Sequence, residues 1–200
     1  VIGMMLPQGI WQRRIQQELK SLQGYPRVKV QNVRENLDSV EFDMVIKGAA
    51  IIDQKGTLGY EHTLHVILSR NYPYQMPLVE WKTPIWHPNV SLTGGVCIGA
   101  LKTHNWNDKH DVKEVAVAIV NFLVSPDATD PFNRYAADWY KENPGALLRA
   151  KKEDQRIENE LMNAEIPKED KPRIKIQGTT KPVEAHTPKP SDKPKITIKK

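Results

Sequence analysis

Cysteine occurs once in this 200-residue chain, at position 97. A single thiol cannot close an internal disulfide, which excludes the stapled secreted scaffolds and fits a reducing compartment. Long apolar runs are also missing. The longest, Val115–Val124, carries Asn121 and falls short of the roughly 20 residues that span a bilayer. The N-terminus, Val1-Ile2-Gly3-Met4-Met5-Leu6-Pro7, lacks the basic lead-in and apolar core of a secretory leader. No internal repeat is present, so solenoids and propellers are excluded. Together these absences predict a cytoplasmic protein without a membrane partner.

Acidic surplus is absent too, and the positive charge is unevenly spread. The whole chain carries +5, and residues 165–200 alone hold ten Lys/Arg against five Asp/Glu. Residues 1–164 are therefore balanced, which argues against a nucleic-acid groove on the folded part. From position 165 onward prolines recur at 167, 172, 182, 188, 190 and 194 among many lysines. Such a segment buries too little apolar surface to order itself. The expected organisation is an N-terminal extension over 1–8, a folded domain over 9–164 and a disordered Lys/Pro-rich tail over 165–200.

Within the domain, Trp11, Ile15, Leu19 and Leu22 recur at helical spacing, predicting a helix from about Gly9 to Leu22 with Arg13 and Arg14 turned elsewhere. Gly24-Tyr25-Pro26 ends it. Alternating segments then follow at Val28/Val30, at Val40 to Ile46 and at Leu64 to Leu68, with a short run Leu78–Trp81. These read as strands of an antiparallel meander. A long Pro-, Gly- and Asn-rich segment, Lys82 to Asp111, comes next, and loops of that length are usually functional. Asp111-Val112-Lys113-Glu114 has the form of a capping box, opening an apolar, buried helix that Pro126 stops. Pro131 is expected to open a third helix with Phe132, Tyr135, Ala136 and Trp139 on one face. Asn143-Pro144 opens a fourth, reaching about Asn163. The class is α+β.

Three features bear chemistry. Trp86-His87-Pro88-Asn89 is a turn ending in an amide side chain. Gly94-Gly95-Val96-Cys97 places the thiol after a double glycine, where a large ligand can approach the backbone. Asp127-Ala128-Thr129-Asp130-Pro131 is an acidic loop between helices. A thiol suits acyl transfer because it attacks and leaves readily. An amide can donate to an oxyanion, and a carboxylate can prepare an amine. Each residue has a plainer alternative. Cys97 fits a small core residue, Asn89 a turn residue, Asp130 a helix cap and His87 a hydrogen-bonded scaffold.

As an ordered set, these residues resemble the ubiquitin-conjugating enzyme family. The family's His-Pro-Asn triplet stands at His87-Pro88-Asn89, and Cys97 follows Asn89 by eight residues, as the family's active cysteine does. Asn71 to Trp81 is similar to its Tyr-Pro loop and fourth strand. Asn105-Trp106 is similar to its loop tryptophan. Asp130-Pro131-Phe132 is similar to its acidic gate, and Arg13-Arg14-Ile15-Gln16-Gln17-Glu18-Leu19 to its basic first helix. The likeness runs from about Arg13 to Lys151. It implies the ubiquitin-conjugating fold: an N-terminal helix, a four-stranded antiparallel meander, an active-site loop and three C-terminal helices.

It also implies an acyltransferase. Cys97 would take a ubiquitin-like modifier as a thioester from an activating enzyme and pass it to a protein lysine or a RING-type ligase, with no cofactor or metal. By the same resemblance Asn89 supports the oxyanion or the loop, Asp130 gates the acceptor lysine and His87 braces the motif. Arg13, Arg14, Tyr74 and Trp106 would form the ligase or activating-enzyme docking surface. The chain departs from the family at Gly99, Gln75 and Asn107-Asp108-Lys109, a divergence that would suit a prokaryotic member. The alternative function is a non-catalytic modifier-binding module of the same fold, which typically lacks the cysteine. A zinc site from His87, Cys97, His104 and His110 is a third reading, though their spacing matches no paired ligand motif.

Overall fold

The computed structural model describes residues 5–97, 99 and 105–165. The tail expectations for 166–200, His104 and the first four residues lie outside them. The order of elements is α1 (Gln8–Gln23), β1 (Val28–Glu35), β2 (Ser39–Ile51), β3 (Leu58–Ser69), β4 (Leu78–Trp81), α2 (Val112–Val124), α3 (Arg134–Glu142) and α4 (Pro144–Glu165). The expected α+β class and element order hold. No helix among the described residues is long and apolar enough to cross a membrane.

The strands form one antiparallel sheet in the order β1-β2-β3-β4. Alternation along β2 sends Val40, Phe42, Met44 and Ile46 inward, and along β3 Leu64, Val66 and Leu68. Helix α2 packs on β2, and its Val115, Ala116, Ile119 and Leu123 are fully buried. Each such large aliphatic side chain contributes roughly 1.5–3 kcal/mol on leaving water. Opposite Leu123, Gly48 admits the helix closely: a Cβ there would lie 2.7 Å from Leu123 Cδ1.

The start of α2 is over-determined. Asp111 Oδ1 accepts from Glu114 N at 2.7 Å, and Glu114 Oε2 accepts from Asp111 N at 3.4 Å, closing the capping box. A third carboxylate joins from α1. Glu18, 2% exposed, accepts the Val112 N–H at 2.8 Å and pairs with Arg14 Nε at 2.5 Å. The inward face of α1 is therefore Trp11, Ile15, Glu18 and Leu22, with Leu19 only half-buried. A carboxylate takes the core position because the donors at a helix N-terminus need an acceptor.

Helix α3 departs from expectation. It begins at Arg134, not Pro131, because the Asn133 side chain accepts the Ala136 N–H at 3.0 Å and serves as the cap. That shift turns Ala136, Ala137 and Tyr140 inward and leaves Phe132 and Tyr135 exposed. Helix α4 is fastened to the sheet by Arg27. Its guanidinium bonds Asp154 Oδ1 at 2.7 Å, Glu158 and the Lys47 carbonyl, while Asp154 also accepts from Ala49 N.

Replacing Glu18 by Ala strands the Val112 N–H and takes from Arg14 its Nε partner and its one paired carboxylate, leaving the guanidinium only its bonds to the His110 and Asp108 carbonyls. It should lower unfolding free energy by about 2–3 kcal/mol. Glu18→Gln, which keeps an acceptor, should cost less; equal midpoints in urea for Glu18→Ala and the unmodified chain would remove Glu18 from this role.

Candidate functional site

After β4 the chain turns back on itself in a narrow hairpin that ends at Cys97. Trp81 N donates to Gly94 O at 2.8 Å, Ser91 N to Gly95 O at 2.8 Å, and Gly94 N to Ser91 O at 3.0 Å. Gly94 has φ +88, and a Cβ there would lie 2.5 Å from the Trp81 carbonyl oxygen. Only glycine fits that turn. At Gly94 the close approach is made by the chain itself. Beyond the turn Val96 bridges back to Val90, and Cys97 N donates to Asn89 O at 2.8 Å. The thiol is free and half-buried.

His87 is wholly buried and both its ring nitrogens are engaged. Nε2 donates to the Phe122 carbonyl at 2.9 Å, near the C-terminus of α2, and Nδ1 accepts the Asn89 N–H at 3.1 Å. These partners dictate the neutral Nε2–H tautomer. The ring meets Phe122 and Tyr140 edge-on at 4.5 and 6.0 Å. Burial holds its pKa down to about 3, because the charged imidazolium would lose its hydration there. His87 is therefore a brace, with no nitrogen left for a proton or a zinc ion. The zinc reading loses this ligand, and His110 Nδ1 lies 2.7 Å from Glu114. Among the described residues no group of three or more metal-ligating side chains gathers.

Asn89, 4% exposed, is committed to the acidic loop. Its Oδ1 accepts the Asp127 N–H at 2.8 Å and its Nδ2 donates to the Asp127 carbonyl at 2.9 Å. The preceding carbonyl, of Pro88, accepts the Asn133 N–H at 2.9 Å. Pro88 and Asn89 thus hold both ends of the 127–133 loop, while the Asn89 carbonyl holds Cys97. Inside the loop Asp127 Oδ1 accepts from Thr129 N and Oγ1. Asp130 is exposed, and since Asn133 caps α3, its plainer reading as a helix cap falls away. Asn133 was missed from sequence. The available signal was an amide three residues before Ala136, a preferred cap type, outweighed there by the helix-opening habit of Pro131.

The four docking candidates divide. Arg13 and Tyr74 line an open groove of about 630 Å³ between α1 and the 73–74 turn, with Leu6, Ile10 and Gln17. Arg14 touches the same groove, but its guanidinium is turned inward, contrary to expectation. It lies 5.5 Å over the Tyr72 ring and donates to the His110 carbonyl at 2.7 Å. Trp106 is half-buried. Its Nε1 donates to the Pro73 carbonyl at 2.8 Å and its ring faces Tyr72. Both act as struts between α1, the Tyr72-Pro73 turn and the segment leading into α2.

The chain is similar to known proteins. A family profile described as ubiquitin-conjugating enzyme matches residues 14–154. The chain is 37% identical over 89 residues to ubiquitin-conjugating enzyme E2 13 of Saccharomyces cerevisiae, covering 44% of this chain and 58% of that relative. It is 29% identical over 133 residues to a probable ubiquitin-conjugating enzyme E2 of Acanthamoeba polyphaga mimivirus, covering 66% of this chain and 83% of that one. In structure it is similar to the E2 domain of a Toxoplasma gondii ubiquitin conjugating enzyme, with TM-score 0.57, 29% identity, and 73% and 97% of the two chains covered.

The buried histidines give the stability a pH dependence. The folded pKa of His87, about 3, lies below the roughly 6.5 of an unfolded histidine. Below 6.5 the unfolded chain therefore binds the extra proton, and stability falls as pH drops. His62, also buried and pushed down by burial, acts in the same direction. Each contributes a slope of up to about 1.4 kcal/mol per pH unit. Urea unfolding between pH 6.5 and 5 should show this slope, and His87→Gln should flatten it; an unchanged slope in that variant would mean His87 is not held neutral.

Proposed function

The chain belongs to the ubiquitin-conjugating enzyme family, and from that premise we propose that Cys97 carries a ubiquitin-like modifier as a thioester and passes it to a protein lysine or a ligase. The observation that carries the reading is the position of the thiol. The only cysteine in the chain is half-exposed at the end of a hairpin whose last hydrogen bond runs from its own N–H to the Asn89 carbonyl. The same residue ties down the acidic loop. A non-catalytic module has no need of a thiol at that point.

The steps follow from the groups present. The Cys97 thiolate attacks the modifier's activated C-terminal carbonyl, forming a C–S bond as the activating enzyme's group leaves. A lysine Nζ then attacks the thioester carbonyl. The C–N bond forms, the C–S bond breaks, the amine loses a proton and the sulfur departs as thiolate. No metal or organic cofactor enters these steps. Thiol exchange is fast near neutral pH, whereas a lysine amine is mostly protonated there. Groups acting on the amine therefore matter chiefly at discharge.

Asn89 acts by position. Its carbonyl oxygen and one N–H are spent on Asp127, so its part is to hold the hairpin and the acidic loop in register, with His87 beneath as the brace. Asp130, exposed on that loop, receives and orients the acceptor lysine. Arg13 and Tyr74 offer the partner-docking surface for an activating enzyme or RING-type ligase. Arg14 and Trp106 stiffen it from behind.

Incubation with ubiquitin, its activating enzyme and ATP, and in parallel with ubiquitin-like proteins and theirs, should give a reductant-sensitive adduct that Cys97→Ala abolishes. An adduct that survives Cys97→Ala would sink the reading.

Discharge of preloaded enzyme to free lysine separates the remaining roles. Asn89→Ala should load but discharge slowly, and should also unfold earlier by about 1–3 kcal/mol because two partly buried bonds to Asp127 are lost. Asp130→Ala should keep its stability and show a smaller defect that shrinks as pH rises and the amine deprotonates unaided. Discharge at the unmodified rate in both variants would leave Cys97 alone in the mechanism.

A further inference from the structure

We propose that Ser91 is a positioning residue for transfer: its hydroxyl fixes the Gly94–Gly95 peptide, and through it the direction from which the chain delivers Cys97 to the acceptor amine. The inference rests on the reading of Cys97 as the carrier of the modifier. It begins from the least restrained link in the hairpin. Gly94 has φ +88, and Gly95 follows it without a side chain. With no Cβ on either flank, the peptide unit between them turns over at little steric cost. Gly95 stands two residues before the thiol, so the plane of this peptide sets the heading of the backbone that arrives at Cys97.

That peptide is gripped at both ends. Its carbonyl, of Gly94, accepts the Trp81 N–H at 2.8 Å. Its N–H, of Gly95, donates to Ser91 Oγ at 2.8 Å. The Ser91 hydroxyl is itself held, pairing with Thr93 Oγ1 at 3.1 Å. The fit is close: a Cβ added to Gly95 would lie 3.0 Å from Ser91 Oγ. The rest of the turn is main chain, with Ser91 N donating to Gly95 O and Gly94 N to Ser91 O. Such main-chain bonds do not depend on a side chain, whereas the grip on the Gly95 N–H is lost with one oxygen. Both bonds must break before the peptide turns over; without the hydroxyl only one stands in the way.

Transfer is the step that feels this change. Uptake is a thiol exchange, in which a thiolate attacks readily. Attack by a lysine amine needs amine and thioester carbonyl in register, and a misplacement of about 1 Å costs up to about a hundredfold. The carbonyl hangs from Cys97. The amine is received at Asp130, on a loop that Asn89 and Pro88 hold independently of the turn. Register between the two therefore depends on the heading that Ser91 fixes. The bonds that change are the same as before: Nζ bonds the carbonyl carbon, a proton is released, and the Cys97 sulfur leaves.

The test starts from the full chain preloaded on Cys97 with ubiquitin, or with the ubiquitin-like protein that forms the adduct. Single-turnover discharge is measured to free lysine and to hydroxylamine, a small nucleophile that is uncharged at neutral pH and attacks a thioester without help. Ser91→Ala should discharge to lysine roughly tenfold more slowly, with uptake and hydroxylamine cleavage near the unmodified rates. Ser91→Thr, which keeps the oxygen, should restore the lysine rate. A looser fold alone would lower the melting temperature and leave the ratio of the two discharge rates where it was. An unchanged ratio in Ser91→Ala overturns the inference, whatever its melting curve, as does a Ser91→Thr variant as slow as Ser91→Ala. Uptake slowed as much as transfer overturns it too, because the hairpin would then merely present the thiol. Absence of any adduct on Cys97 in the unmodified chain is read before either nucleophile is added; it overturns the proposed function and this inference with it.

Discussion

The amide of Asn89 bonded face to face with the backbone of Asp127 is the interaction on which the site depends. Its two bonds copy the pairing of adjacent strands, with one side chain standing in for a second backbone. It works because Asn89 is itself immobile. Its N–H is bonded to His87, and its carbonyl is bonded to the Cys97 N–H. Three chain segments distant in sequence thus meet at one residue: the motif, the hairpin and the loop before α3. Because Asn89 itself is buried, leaving its polar groups without partners would be costly.

The charged groups that organise the interior follow the same logic on a larger scale. Glu18 completes the start of α2, Arg14 spans α1 and the segment that precedes α2, and Arg27 gathers two carboxylates and a carbonyl from α4 and β2. Each sits where backbone groups would otherwise lack partners. Buried charge of this kind specifies which elements meet, more than it raises the total stability.

What could be read from the sequence follows from which physical signals are local. Strands β2 and β3 are legible because their inner faces alternate strictly, and α2 because an apolar run follows a capping box. The ordered residues around Cys97 are legible as a set, although none is decisive singly. Helix α3 is misplaced by sequence because two local rules compete at Pro131 and Asn133. The cap prevails because the Asn133 backbone is also claimed by Pro88, a contact 45 residues away in sequence. Arg14 is misjudged, and Glu18 passed over, for a related reason. A charge on a helix reads as solvent-facing unless its distant partners are known, and theirs are the backbone groups at positions 108–112.

The fastening of α4 has a consequence for how the molecule breathes. The helix is anchored through its middle, at buried Ala150 and at the Asp154 and Glu158 contacts with Arg27. Past that point Met162 and Asn163 face solvent. Opening of its last turn breaks few contacts, whereas opening of the middle must break the Arg27 cluster and expose the end of β2 with it. Amide protons along the helix should therefore exchange on a gradient, slow near Asp154 and fast toward position 165, with the boundary set by one arginine that precedes β1.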